Sequence, residues 1–190
     1  RQREHALSGE TRRLFVGVPV PEELLHVVQW AQEGIGVLPG LRPATPEQLH
    51  VTLAFIGEVD EAKAQAARRV VEQVPEGLGG MITIKSYLAL PSLSRARVVA
   101  LELEDQAGVL QRLFECVMGS LEREQVMKRE KRPFRPHLTI ARLRAPSRVQ
   151  PKYECESADF AVSSVCLYRS QLLRTGAVYS VVVRRALSAG

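Results

Sequence analysis

Two short stretches of this chain carry residues suited to moving protons. His50-Val51-Thr52-Leu53-Ala54-Phe55 and His137-Leu138-Thr139-Ile140-Ala141-Arg142 share a His-x-Thr-x-Ala pattern. The sequence has four His and six Thr, and the chance that two of the four His are followed by Thr at this spacing is roughly six in a thousand, before the matching flanks are counted. His5 and His26 lack the pattern. Residues i and i+2 of a strand share a face. Each copy therefore predicts one face carrying His50, Thr52 and Ala54 (or His137, Thr139 and Ala141), with Val51, Leu53 and Phe55 (or Leu138 and Ile140) turned into the core. Two facing imidazoles suit general acid–base chemistry near neutral pH, one neutral and accepting a proton, the other charged and giving one. Two Thr hydroxyls can donate to phosphate oxygens and stabilise charge added in a transition state. This chemistry needs no cofactor and no covalent nucleophile. Neither His has Cys or carboxylate residues at metal-ligand spacing, so a zinc site is the weaker active reading and no metal is expected.

Charge points to an anionic partner. Lys and Arg number 26 against 21 Asp and Glu, a net +5, with a pI near 9.4. Nine of the basic residues fall between Lys128 and Lys152, where only Glu130 is acidic. The whole excess thus surrounds the second His, as a channel tracking phosphates would. The plainer reading is a solvated basic loop. Arg132 and Arg135 are candidate RNA contacts from this run, Phe134 a candidate base-stacking ring, and Arg97, with Arg95, a weaker phosphate candidate.

These residues must be held by a scaffold, and the rest of the chain predicts one. At 190 residues with 45% hydrophobic and 25% charged content, it suits one compact domain and is too apolar for a disordered chain. Residues 1–12 read as a mobile tail and 13–188 as a single bilobal domain. Strands are expected over residues 14–18, 50–56, 81–90, 97–103, 137–143, 160–168 and 178–185. Helices are expected from Pro21 to about Glu33, from an Asp60 cap to about Val74, and over about 107–124. Residues 34–48, with three Gly and three Pro, should be loop. Phe15, Trp30 and Phe114 read as core. The order is α+β with largely antiparallel pairing. The two His-x-Thr copies suggest two lobes of similar build, one copy on each. No apolar run can span a bilayer, no signal-peptide core is visible, and three cysteines form no disulfide framework, so a cytoplasmic protein is expected, with a monomer as the default.

At its two motifs the chain resembles the two-histidine (2H) phosphoesterase superfamily, and more closely its RNA 2′,3′-cyclic phosphodiesterase branch, once called 2′-5′ RNA ligase (ThpR/LigT). Leu49 to Val59 is similar to the family's first motif and Phe134 to Arg142 to its second. Arg13 to Pro19, Ser94 to Val99, Leu167 to Ser170 and Gly176 to Tyr179 resemble its opening, middle and closing segments. The resemblance implies a bilobal 2H phosphoesterase fold, two largely antiparallel sheets with flanking helices around a central cleft. It also implies metal-independent hydrolysis of RNA 2′,3′-cyclic phosphate ends to 2′-phosphates, with reversible 2′-5′ joining of tRNA halves as related chemistry. By analogy His50 would protonate the departing O3′ and His137 would activate water, roles that the sequence leaves exchangeable. Thr52 and Thr139 would hold phosphate oxygens. Arg142 would lie against the terminal base or phosphate. Strand parity opposes that last placement, because Arg142 is five residues from His137 and should face away unless the strand ends or bulges. Two other readings compete: a non-catalytic RNA-end-binding module, and a 2H enzyme acting on another small phosphodiester.

Overall fold

The computed structural model describes residues 10–190; most of the tail expected over residues 1–12 lies outside them. β1 (Arg12–Pro19) leads into a 3₁₀ turn and α1 (Leu25–Ile35). Then follow β2 (Leu41–Pro43), β3 (His50–Val59), α2 (Glu61–Glu72), β4 (Gly80–Leu90), β5 (Ala96–Glu104), α3 (Val109–Arg123), β6 (His137–Ser147), β7 (Ala158–Val162), β8 (Ser164–Leu173) and β9 (Gly176–Ala186). Local chemistry explains the helix starts. The Asp60 carboxylate accepts from the Lys63 amide at 2.9 Å, as expected of an N-cap. Asp105 serves α3 in the same way, accepting from Val109 and Gln111. Leu110, Leu113, Val117 and Leu121 form the buried stripe of α3, each fully buried side chain contributing roughly 1.5–3 kcal/mol.

All strands join one antiparallel sheet in the order β7-β4-β5-β6-β3-β1-β8-β9, with β2 added beside β6. The two expected sheets are its two four-strand halves. They meet where β3 pairs with β6 through a single ladder pair, Val51 with Leu138. The sheet is strongly curled, and its largest core lies on one face. Leu14, Val16 and Val18 of β1 enter that core, while Phe15 joins a separate small cluster with Cys166 and Tyr168. Alternation along β1 therefore assigns this second cluster to the opposite, cleft-forming face.

Three expectations need correction. Residues 160–168 are not one strand. β7 pairs with β4 at one end of the sheet and β8 with β1 and β9 near the other, and the chain crosses between the halves at Ser163. Its carbonyl accepts from the Leu187 amide at 2.9 Å. Residues 34–48 are not all loop, because Leu41–Pro43 pairs with Leu143, Arg142 and Ala141; three residues are too few to show alternation. Trp30 is 49% exposed rather than core. It stacks on Tyr153 at 4.6 Å between centroids, and the Tyr153 hydroxyl donates to the Trp30 carbonyl. Among the described residues no helix is long and apolar enough to cross a membrane.

Candidate active site

The face shared by His and Thr is set by a feature that simple alternation misses. Along β6, Thr139 pairs with Ala100 and Ala141 with Val99, so Ile140 is an extra residue. Along β3, Thr52 pairs with Gly17 and Ala54 with Val16, so Leu53 is an extra residue. Both copies thus bulge at the residue after Thr. A bulge resets the parity of everything beyond it. Ala54 and Ala141 turn inward, 3% and 1% exposed, against the expectation that they flank the His. Phe55 turns outward, 47% exposed, against the expectation that it enters the core. Arg142 comes onto the cleft face, which removes the parity objection.

The two His open their strands in the same way. His50 Nδ1–H donates to the Gln48 carbonyl at 2.7 Å, and His137 Nδ1–H donates to the Arg135 carbonyl at 2.8 Å. A carbonyl can only accept, so each contact places a proton on Nδ1 and leaves Nε2 as the working nitrogen. His50 Nε2 lies 2.9 Å from Thr52 Oγ1, whose hydroxyl donates to the neutral ring. Antiparallel pairing of Val51 with Leu138 sets His50 beside Thr139 and Thr52 beside His137. The rings sense each other. The His50 pKa is lowered to about 4, chiefly by burial, with Arg142 and His137 adding repulsion against the carbonyl's opposing pull. His50 is therefore neutral in the empty cleft at neutral pH.

An aromatic floor holds the His50 ring. Phe15 packs beneath it at 4.5 Å and Tyr179 meets it edge-on at 5.3 Å, while Tyr168 stacks on Phe15 at 4.8 Å. Gly17 makes room, since a Cβ there would sit 3.3 Å from His50 Cδ2 and 2.9 Å from the Val51 carbonyl. Beside the ring opens a cavity of about 520 Å³ whose lining includes Thr52, Thr139, Arg142, Arg42, Gln48 and Arg174. Gln48 Nε2 donates to the Ala177 carbonyl at 2.8 Å, tying the turn before His50 to β9.

The other residues that the sequence nominates for RNA contact are not brought into this cavity. Phe134 lies flat on Phe114, 4.3 Å apart and 3° from parallel, so one face of the expected base-stacking ring is already covered. Arg135 points to Glu102, 3.9 Å away, although its carbonyl orients His137. Arg132 and Arg97 are exposed and do not line the cavity. Arg129, from the same basic run, is held by Glu115 and Glu122. Motif and charge patterns do not single out Arg42, Gln48, Gly17, Arg174 or the aromatic floor. Only Gly17, a glycine inside a strand pattern, left a signal. Among the described residues no group of three or more His, Cys, Asp or Glu is assembled as a metal site.

Known proteins share this architecture. Residues 22–172 match the 2′-5′ RNA ligase superfamily. RNA 2′,3′-cyclic phosphodiesterase of Archaeoglobus fulgidus is 30% identical over 173 residues, 88% of this chain and 96% of the relative. The protein of that name from Thermus thermophilus is 29% identical over 180 residues, 92% of this chain and 90% of its own length. A crystal structure of a Thermus thermophilus protein superposes with a TM-score of 0.82 at 28% identity, covering 93% of this chain and 98% of that one. LigT of E. coli, solved in complex with 3′-AMP, gives a TM-score of 0.78 at 27% identity over 94% and 99%.

Proposed function

The chain belongs to the 2′-5′ RNA ligase superfamily, and from that premise and the cleft geometry we propose that it hydrolyses RNA 2′,3′-cyclic phosphate ends to 2′-phosphates by acid–base catalysis between His50 and His137. The observation that carries the proposal is the duplicated constellation: two imidazoles with Nδ1 held by the carbonyl two residues upstream, each with a Thr on the same cleft face. Water attacks phosphorus while one Nε2 takes its proton. The P–O3′ bond breaks, and O3′ receives a proton from the other Nε2–H. The 2′-ester remains, so the product is a 2′-phosphate and the two rings have exchanged protonation states.

Thr52 and Thr139 donate to the non-bridging oxygens as negative charge builds on them. Arg142, Arg42 and Arg174, on the cavity wall, neutralise the phosphate and hold the terminal nucleotide. By the family resemblance His50 is the proton donor. Its low pKa in the empty cleft then means that it takes up its proton together with the anionic substrate, whose charge favours imidazolium. With a 5′-hydroxyl in place of water, the same steps run toward a 2′-5′ bond, the chemistry required to join tRNA halves.

The test is turnover of adenosine 2′,3′-cyclic phosphate in EDTA, with the product identified by phosphate position. His50→Ala and His137→Ala should each lower kcat about 10²–10⁴-fold. Near-full activity in both variants would end the proposal, and salt-sensitive binding without turnover in the wild type would mark an RNA-end-binding module instead.

A further inference from the structure

A cyclic phosphate end carries its nucleoside on one side of phosphorus, and the Arg42–Gln48–Arg142 cavity can receive it. Hydrolysis asks only for water on the other side, yet the cleft is furnished there too. Antiparallel strands run their cleft-face positions in opposite directions. Arg142 therefore lies beyond His50, toward Gln48, while Phe55 lies at the opposite end, beyond the Thr52–His137 step. Phe55 holds on β3 the place that Arg142 holds on β6, each the first cleft-face residue after its bulge. Its ladder partner is Phe15, the ring beneath His50, and cross-strand partners share a face.

Phe55 is 47% exposed, and the Arg13 guanidinium carbon lies 5.1 Å from its ring centroid. A second irregularity, Ile56 against the Leu14–Phe15 step, adjoins Gly57 at φ +81° and lets Arg13 lean over the ring. Arg13 Nε is buried without a hydrogen-bond partner among the described residues. Two bulges bracketing an exposed ring mark a designed presentation rather than a packing accident. Glu58 is the ladder partner of Arg13 and already offsets its charge, so the aromatic face is the principal recognition element.

We propose that Phe55 and Arg13 form a stacking platform for a second nucleoside, the one whose 5′-oxygen attacks or leaves phosphorus in a 2′-5′ diester. The inference rests on the phosphodiesterase reading above. In the joining direction the nucleoside gives its 5′-hydroxyl proton to one imidazole and forms O5′–P. The P–O3′ bond breaks and O3′ is protonated by the other imidazole, so no further reactant is needed.

The probe is 3′-deoxyadenylyl-(2′→5′)-adenosine, which lacks the 3′-hydroxyl needed to cyclise and so binds without reacting. Its Kd is compared by calorimetry with that of 3′-deoxyadenosine 2′-monophosphate, which lacks only the second nucleoside. The wild type should bind the dinucleoside about tenfold more tightly, the size of one base–aromatic stack. Phe55→Leu should collapse that ratio toward one, and Phe55→Trp should keep it. Equal affinities in the wild type, or an undiminished ratio in Phe55→Leu, overturn the proposal. It is also overturned if the Phe55 dependence appears instead with a 3′-5′ dinucleotide ending in a 2′-phosphate, which would assign the platform to the upstream nucleotide. Failure of the underlying reading is separate: no turnover of adenosine 2′,3′-cyclic phosphate by the wild type.

Discussion

At the scale of single residues, the two His differ in what surrounds them although their backbone contacts match. His50 lies on an aromatic floor, and its pKa is lowered from 6.5 to about 4 by burial first, then by Arg142 and His137. Below pH 6.5 the unfolded chain takes up a proton that the folded ring refuses. Stability should therefore fall as pH drops from 6.5 through about 4, with His50 contributing on the order of 3 kcal/mol of that loss. Urea unfolding at pH 7 and pH 4 reads it: His50→Gln should flatten the dependence relative to wild type. An anion in the cleft acts in the opposite direction, because a negative neighbour favours imidazolium. Inorganic phosphate should move the His50 titration, followed by NMR, upward from about 4. An unmoved midpoint would mean that the anion does not sit beside this ring.

At the scale of elements, the site depends on irregular strands more than on regular ones. The bulges at Leu53 and Ile140 separate cleft positions from core positions in both copies, and that is why Arg142 can serve the cleft while Leu143 stays in the core. Gly17 is the element-level counterpart of the His50 floor, since any Cβ on that strand meets the Val51 carbonyl and the His50 ring. Gly17→Ala should tilt the ring and lower kcat on a cyclic nucleotide about 10–100-fold, in line with the penalty for small misplacements of catalytic groups. The crystal structure of the variant would show whether the ring has moved. Ser163 lets one apolar run serve both halves of the sheet, with β7 beside β4 and β8 beside β1.

At the scale of the whole molecule, the basic excess divides into working and occupied charges. Arg129 is spent on Glu115 and Glu122, whereas Arg42, Arg142 and Arg174, drawn from three separate parts of the chain, converge on the cavity. Three phosphate-facing cations predict a slope of about −2 in log affinity against log salt for a short single-stranded RNA end. Arg174→Ala should flatten that slope by about 0.7, and Arg129→Ala should leave it unchanged. Fluorescence titration of a labelled oligonucleotide from low to moderate salt would measure both.

The sequence by itself determined the α+β order, the helix caps, the pairing of each His with a Thr and the duplication of that motif. These are local properties: strand periodicity, a carbonyl two residues upstream and an Asp ahead of a helix act within a few residues. Tertiary structure alone decided that Ala54 turns in and Phe55 out, that Phe134 packs on Phe114, and that Arg42 and Arg174 join Arg142. Bulges and cavity walls arise from the register between strands far apart in the chain. That register is fixed by the combined packing of the sheet, which no local spacing encodes.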